Sequence, residues 1–381
     1  MNIKLILAMI TLLIVMFGMA VLNGGANPTE LRYGFGQPAV FDVMLNRTGT
    51  MLYAAYPSDN AIVEIDAYTM QEIRRFTLPR PSCLEFSLTG ECILSAYYEI
   101  DHGGIARIRL SDGHIELLPV AGYVTDMAID PSNAIIWVID RLWPQEGDSL
   151  LGLPPENSGN LTLVDYSLSL VVINSVEIEA IPNSIFYSPP YDRLYVKHNL
   201  DVWEYIEPPE SRDVGPDYVA HKITMYSAES LELIGETSAG RDPTQLSHYA
   251  ELTGWDSGGL LMMVPACINP QPRYSFRVID AMDGSVAFDS SHIMYNGLPC
   301  HLEYAHPSPD WEYMWATVSA GQLSESDERE LMVRINRSTL EYDFFPIDEA
   351  TDDLGDFAIS PDGTTFYLTV PRTGEIIVWQ P

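Results

Sequence analysis

The residues best suited to chemistry in this sequence recur at one position of a repeated turn. Seven residues before the glycine of a turn, or before the residue that replaces it, the chain carries Asp42, Cys83, Asp126, Ser184 and Asp356. Further polar side chains occupy comparable places in the remaining copies, namely Asn183, Gln245, His301 and Glu303. If these side chains converge, their oxygens could bind Ca²⁺, which prefers many oxygen ligands. Calcium is therefore a possible ligand of Asp42, Asp126 and Asp356, but the same side chains could instead solvate a channel mouth and hydrogen-bond neighbouring loops.

A second group of candidates lies in long segments between predicted strands. These segments span 141–160, 198–220, 265–274 and 319–330. The first two combine aromatic side chains with carboxylates: Trp143, Asp148, Trp203, Tyr205, Asp213, Asp217 and Tyr218. Aromatic faces beside carboxylates can receive a cationic or sugar-like ligand, although the aromatic rings could equally pack the loops down.

Signals for catalysis are weak. The chain has no His-Glu-x-x-His, no Gly-x-Ser-x-Gly and no phosphate-binding glycine loop. The members of a Ser–His–Asp triad need not be close along a chain, but nothing here points to one. We therefore expect a binding or scaffold protein rather than an enzyme, with no cofactor other than calcium.

A repeated pair of strands joined by a turn positions these candidates. The clearest copy is FAISPDGTTFYLTV at 357–370. Other copies lie at 43–55, 84–96, 127–138, 185–196 and 305–315, and a degraded copy lies around 246–263. Glycine or asparagine in the turn tolerates a positive φ, and the flanking β-branched and aromatic runs predict strands.

A third strand follows each pair, and a fourth follows several of them. The third strands are predicted at 61–66, 105–109, 161–165, 221–226, 275–280, 331–335 and 375–379. Four-stranded units that recur about every 40–60 residues, with no helical pattern between them, predict propeller blades. The last unit ends at its third strand, whereas a spare strand at 30–35 precedes the first. We therefore predict an all-β, seven-bladed propeller whose N-terminal strand completes the C-terminal blade.

The segment LYAAYPSDNAIVEID at 52–66, after a glycine turn, resembles the YVTN-type repeat of YncE-like seven-bladed propellers. The resemblance covers essentially the whole mature chain and is strongest in the first and last units. It implies a surface or periplasmic location. The group includes surface proteins and binding domains. Neighbouring propeller families leave two alternatives open, a calcium-dependent, lactonase-like hydrolase acting through the axial carboxylates and the propeller subunit of an amine dehydrogenase-like complex.

Strand direction in a blade predicts that both candidate sites share one face. The connection from the second to the third strand opens on the same side as the link into the next blade. Blades three to six carry the long connections, so one face is elaborated over four consecutive blades. Loops on a rigid scaffold are frequent binding sites, although insertions also accumulate in loops without any function.

Charge and the N-terminus constrain the partners. The net charge is −33, with 20 basic and 53 acidic residues. Such a chain repels nucleic acid and anionic lipid, so we expect a protein, glycan or small-molecule partner. Residues 1–26 read as a signal peptide, with Lys4, an apolar run at 5–22 and small residues to Ala26. The predicted domain is 27–381, secreted, periplasmic or at the cell surface, with membrane contact only if the signal stays uncleaved.

Four cysteines in an exported chain allow two disulfides. Cys267 lies in the long connection of blade five and Cys300 at the start of blade six. These places are on one face of adjacent blades, so we predict a bridge between them. Cys83 and Cys92 flank one hairpin with a diagonal offset that is marginal for a bridge, and their state is left open.

Overall fold

A computed structural model describes most of the predicted domain. The described residues are 29–34, 40–99, 102–120, 122–141, 158–179, 181–199, 221–238, 252–255, 259–263, 275–320, 329–347 and 354–381. They form seven antiparallel sheets, six of four strands and one with a short additional strand. The predicted seven-bladed propeller is confirmed. Within these ranges no helix is long and apolar enough to cross a membrane.

The strands follow one another in blade order. The first is β1 (Thr29–Gly34). Blade one contains β2 (Asp42–Leu45), β3 (Met51–Tyr56), β4 (Ala61–Asp66) and β5 (Gln71–Thr77). Blade two contains β6 (Ser82–Phe86), β7 (Cys92–Tyr98), β8 (Gly103–Arg109) and β9 (Ile115–Val120). Blade three contains β10 (Tyr123–Ile129), β11 (Ile135–Arg141), β12 (Ser158–Asp165) and β13 (Val171–Glu179).

The second half repeats this arrangement. Blade four contains β14 (Ile181–Ser188), β15 (Arg193–Asn199), β16 (His221–Ser227) and β17 (Leu233–Ser238). Blade five contains β18 (Leu252–Gly254), β19 (Leu260–Met263), β20 (Arg277–Asp280) and β21 (Val286–Asp289). Blade six contains β22 (Met294–Tyr295), β23 (Leu298–Pro307), β24 (Tyr313–Ala320), β25 (Arg329–Asn336) and β26 (Tyr342–Pro346). The last strands are β27 (Phe357–Ile359), β28 (Phe366–Val370) and β29 (Glu375–Gln380).

Blade seven is built from both ends of the described chain. Strand β1 pairs antiparallel with β29, so that Leu31 lies opposite Val378, and the sheet order is β1, β29, β28, β27. The predicted ring closure is therefore confirmed. An open ring would leave unpaired strand edges on the first and last blades.

The core lies between the blades. In the layer between blades one and two, Tyr53 and Ile62 pack against Ile93 and Ala106, and all four side chains are buried. Similar apolar layers fill the other interfaces. Each blade is covered on both faces, which explains the nearly continuous apolar runs of the second and third strands.

Carboxylate and amide side chains stabilise the turns on the face opposite the strand starts, hereafter the turn face. At the end of a third strand, Asp66 Oδ1 accepts the amides of Tyr68 and Thr69. Asp362 plays a similar part in the turn of blade seven, where Ser360 Oγ and the Thr364 amide donate to it. These donors lower the pKa of both aspartates, through the Thr69 amide for Asp66 and the Ser360 hydroxyl for Asp362.

Ring closure predicts a sharp dependence of stability on β1. We compare a protein that begins at residue 29 with one that begins at residue 36. The second lacks β1 and exposes the edge of β29, so its melting temperature should fall by on the order of 5 °C or more. Calorimetry measures the difference, and equal melting temperatures would contradict closure by this strand.

Candidate functional site

Within a blade, the start of the first strand lies beside the end of the second strand, because the two strands are antiparallel. In blade three Tyr123 lies opposite Arg141, and in blade four Ile181 lies opposite Asn199. The connections that follow Arg141, Asn199, Met263 and Ala320 therefore begin on the side of the ring where the first strands start. We call this side the loop-bearing face. The connections of blades one and two are much shorter, from Tyr56 to Ala61 and from Tyr98 to Gly103.

Several predicted site residues lie outside the described residues. They are Trp143, Asp148, Trp203, Tyr205, Asp213, Asp217, Tyr218, Gln245 and Cys267. For His301 the structure describes the position in β23, opposite Ser319. The binding roles of these residues and the Cys267–Cys300 bridge stay predictions, and Cys300 is buried in the core between blades five and six.

The axial side chains join each blade to the next. Asp42 accepts the backbone amide of Leu84 from the first strand of blade two. The same relation recurs from blade three to blade four, where Asp126 Oδ2 lies 2.9 Å from the Ile185 amide. These contacts correspond to the alternative role, hydrogen bonding to neighbouring elements.

Blade four continues this pattern with a neutral side chain. Ser184 Oγ accepts the amide of Leu252 in the first strand of blade five at 3.2 Å. Because a hydroxyl performs the same task as the carboxylates of Asp42 and Asp126, the contact requires a hydrogen-bond acceptor and not a negative charge.

β-Bulges in the first strands immediately precede the acceptors of blades three and four, and blade two has a bulge at the same place. The strand register shifts between Ser82 and Leu84, between Val124 and Asp126, and between Pro182 and Ser184. A bulge inserts one residue and re-aims its neighbours. Asn183 lies at the bulge of blade four, one residue before the acceptor Ser184. In blade two Cys83 occupies the bulge with a φ of 31°, and its thiol donates to the Thr125 carbonyl.

Blades one and seven bring two carboxyl groups together at the axis. Asp42 of blade one and Asp356 of blade seven lie close enough to influence each other. Burial, followed by the charge of Asp356, raises the pKa of Asp42 well above its ordinary value. Asp356 Oδ1 also lies 2.7 Å from His306 Nε2 and accepts the amide of Phe357. The arrangement places Asp42 beside an Asp356 that also contacts His306.

The residue that reaches Asp356 from blade six is His306, which the sequence analysis did not name. It had named His301 and Glu303. The register of β23 shifts between Leu302 and Ala305, and Glu303 falls within that irregular stretch. His306 lies in the repeat copy at 305–315, so its place in the turn was the available signal.

Glu85 is a second axial residue missed by the sequence analysis. Burial, followed by the charge of Asp126, raises its pKa to about 8, and His306 of blade six opposes this shift. These two influences come from different blades, so Glu85 lies among residues that converge on the axis. Burial also raises the pKa of Asp126 to about 6, although the Ile185 and Met127 amides oppose this shift.

The described axial carboxyl groups already have hydrogen-bond partners within the protein. Both oxygens of Asp126 accept hydrogen bonds from backbone amides. Asp42 accepts one from the Leu84 amide and lies beside Asp356. Among the residues that the structure describes, no group of three or more His, Cys, Asp or Glu side chains is arranged to hold a metal ion. Calcium binding stays a prediction without a described ligand shell.

A buried carboxyl group, Asp140, stands where the long connection of blade three begins. Its Oδ1 accepts the Asn160 amide at 2.9 Å, and its Oδ2 has no hydrogen-bond partner among the described residues. Burial raises its pKa to about 6. A Cβ atom at Gly122 would lie 2.6 Å from Oδ1, so glycine is required for this close approach.

The two cysteines of blade two are free thiols. Cys92 lies opposite Ser87, as their backbone hydrogen bond shows. Cys83 lies at the other end of the strand pair, where Ser82 is opposite Ala96, so the two cysteines are too far apart to form a bridge.

The inter-blade contact of Asp126 predicts different effects for two substitutions. Asp126→Ala leaves the amides of Ile185 and Met127 without an acceptor, which should lower the free energy of unfolding by about 1–3 kcal/mol. Asp126→Asn keeps one acceptor oxygen and removes a charge, so it should cost less. Urea denaturation of both variants measures this, and equal losses would refute an acceptor role.

Glu85 predicts a pH-dependent stability. Its pKa in the folded protein, about 8, exceeds the ordinary value of 4.5, so the folded state binds the proton more tightly. Stability should therefore rise as pH falls from 8 towards 5. Melting temperatures of Glu85→Gln should depend less on pH across this window. The exposed Glu91→Gln in the same blade is the control, and an unchanged slope in Glu85→Gln would contradict the assignment.

Comparison with known proteins supports the fold alone. No family model matches the chain, and no curated protein has a similar sequence. The β-propeller domain of Cps50 (Swd1) from Myceliophteria thermophila is similar in structure, with a TM-score of 0.61 and 14% identity over 92% of this chain and 100% of that one. The dihydro-heme d1 dehydrogenase NirN, in complex with DHE, gives a TM-score of 0.54 at 14% identity over 87% of this chain and 61% of that one. Identities this low support a similarity of fold alone. The chain is a seven-bladed β-propeller that is similar in fold to both proteins.

Proposed function

We propose that this chain is an exported binding or scaffold protein that engages its partner through the loop-bearing face. One observation carries the proposal. The four long connections start after Arg141, Asn199, Met263 and Ala320, in four consecutive blades, and all start on the same face. Binding segments that start side by side on a scaffold can form one continuous surface.

The scaffold beneath this surface is rigid. Neighbouring first strands are joined through Asp42, Asp126 and Ser184, and apolar layers fill the spaces between blades. A partner can then be bound without ordering the blades themselves, which reduces the entropic cost of association. This supports binding at the loops.

Electrostatics supports the choice of partner. The chain carries a net charge of −33, and Glu85, Asp126 and Asp140 all have raised pKa values near the loop-bearing face. Positive groups of a protein, glycan or small molecule would be attracted by this net negative charge, whereas nucleic acid would be repelled. Export and the YncE-like relationship rest on the sequence, and no contact in the described residues favours a hydrolase or dehydrogenase.

Shortening the loops tests the proposal. Residues 142–157 and 200–220 are each replaced by Pro57–Asn60, the tight connection of blade one. As a control, the turn Ser360–Gly363 on the turn face is replaced by Asn46–Gly49. Arrays of glycans and of the host's exported proteins are probed with all three proteins.

The parent protein and the turn-face control should bind the same partner. The loop-shortened protein should lose about tenfold or more in affinity while its melting temperature is retained. A partner bound equally well after both loops are shortened would refute the proposal.

A further inference from the structure

The outer rim of blades three and four exposes a group of large apolar side chains. Leu168 is 89% exposed, Ile173 54% and Leu233 55%. With their neighbours they form the rim patch, which we define as Leu168, Val171, Val172, Ile173, Leu233 and Ile234. Single exposed apolar residues are ordinary, but a contiguous group on an acidic protein marks an interaction surface.

A hydrogen bond connects the two halves of the rim patch. Asn174 Nδ2, next to Ile173, donates to the carbonyl of Ser230 at 3.1 Å. Ser230 lies in the turn that leads into β17, three residues before Leu233. Behind this contact Trp137 Nε1 donates to the Ala228 carbonyl at 2.9 Å. The start of β17 is therefore held against blade three, and the two apolar groups adjoin.

The most exposed member of the rim patch stands on a braced turn. Arg107 of blade two donates to the carbonyls of Tyr166 and Leu168 at 2.8 and 2.6 Å. Glu116 pairs with Arg107 at 2.6 Å and accepts the Leu170 amide at 2.9 Å. The turn is ordered before any partner arrives, so Leu168 can be buried in an interface at a reduced entropic cost.

The outer strands that carry the rim patch are poorly suited to pairing with an added strand. The outer strands β13 and β17 each contain a bulge, because Leu163 pairs with Asn174 but Val164 pairs with Val172, and blade four shifts likewise at Ile234. Bulges disrupt the hydrogen-bond ladder and protect an edge against strand addition. They also project Ile173 and Ile234 outwards.

The negative charge around the rim patch favours a basic partner over an acidic one. Exposed carboxylates lie beside it at Glu177, Glu229, Glu232 and Glu236. The nearby guanidinium of Arg107 is already held by Glu116 and two carbonyls. A second copy of this chain would bring like charges together at a net charge of −33 each, which costs several kcal/mol at an interface. We propose that the rim patch docks a basic, amphipathic segment of another protein.

The proposal is tested with synthetic peptides and matched variants. The rim variant carries Leu168→Ser, Ile173→Thr and Ile234→Thr. The control variant carries Leu31→Ser, Ile73→Thr and Met282→Ser, which remove comparably exposed side chains from three other blades, and Ile73 also lies at an outer-strand bulge. The probes are a short amphipathic peptide of leucine and lysine, a serine–lysine peptide of equal charge and a leucine–glutamate peptide, all measured by calorimetry at about 0.15 M salt.

The leucine–lysine peptide should bind the parent and control proteins alike, and the rim variant about tenfold more weakly, with melting temperatures retained in both variants. The serine–lysine peptide should bind all three proteins weakly. Equal losses in the two variants, no loss in the rim variant, or comparable binding of the leucine–glutamate peptide would overturn the proposal. A dimer seen by ultracentrifugation and abolished in the rim variant would also overturn it, because the occupant would then be a second copy. Loop shortening leaves this surface intact, so the result is independent of the loop-bearing face.

Discussion

The structure depends on the fact that no blade can bury its own two faces. Tyr53 and Ile62 on one side of a layer are covered only because Ile93 and Ala106 of the next blade stand opposite. Every sheet therefore needs two neighbours, and a ring is the arrangement that gives each sheet both. Pairing of β1 with β29 lets the ring close without leaving an unpaired edge, and this ties the first described strand to the last.

Burial at the axis creates an electrostatic difference between the two faces. On the turn face Asp66 and Asp362 receive amide and hydroxyl donors, so their ionised forms are favoured and the turns are stabilised near neutral pH. At the axial mouth, desolvation and mutual repulsion outweigh such donors, and Asp42, Glu85 and Asp126 all bind protons more tightly than usual. Ionised carboxyl groups are thus favoured at the turn face and disfavoured at the axial mouth.

The two proposed binding surfaces are separate. The loop-bearing face surrounds the axial carboxyl groups, whereas the rim patch lies on the outer strands of blades three and four. Blade three contributes to both, through the connection after Arg141 and through β13. Together the two proposals describe one rigid ring that holds two partners in a fixed relation.

The amino-acid sequence by itself determined the strands, the number of blades and the closing strand, because runs of β-branched and aromatic residues and the turn residues between them are local properties. It also located the axial positions Asp42, Asp126, Ser184 and Asp356. Only the tertiary structure decided what these residues contact. Bulges shift the register in ways that spacing does not reveal, so the use of Asp126 as an acceptor for the next blade, and the contact of His306 with Asp356, could not be read in advance. The same holds for the contact of Asp42 with the Leu84 amide. The raised pKa of Glu85 likewise depends on groups from blades three and six, which are brought together only when the ring closes.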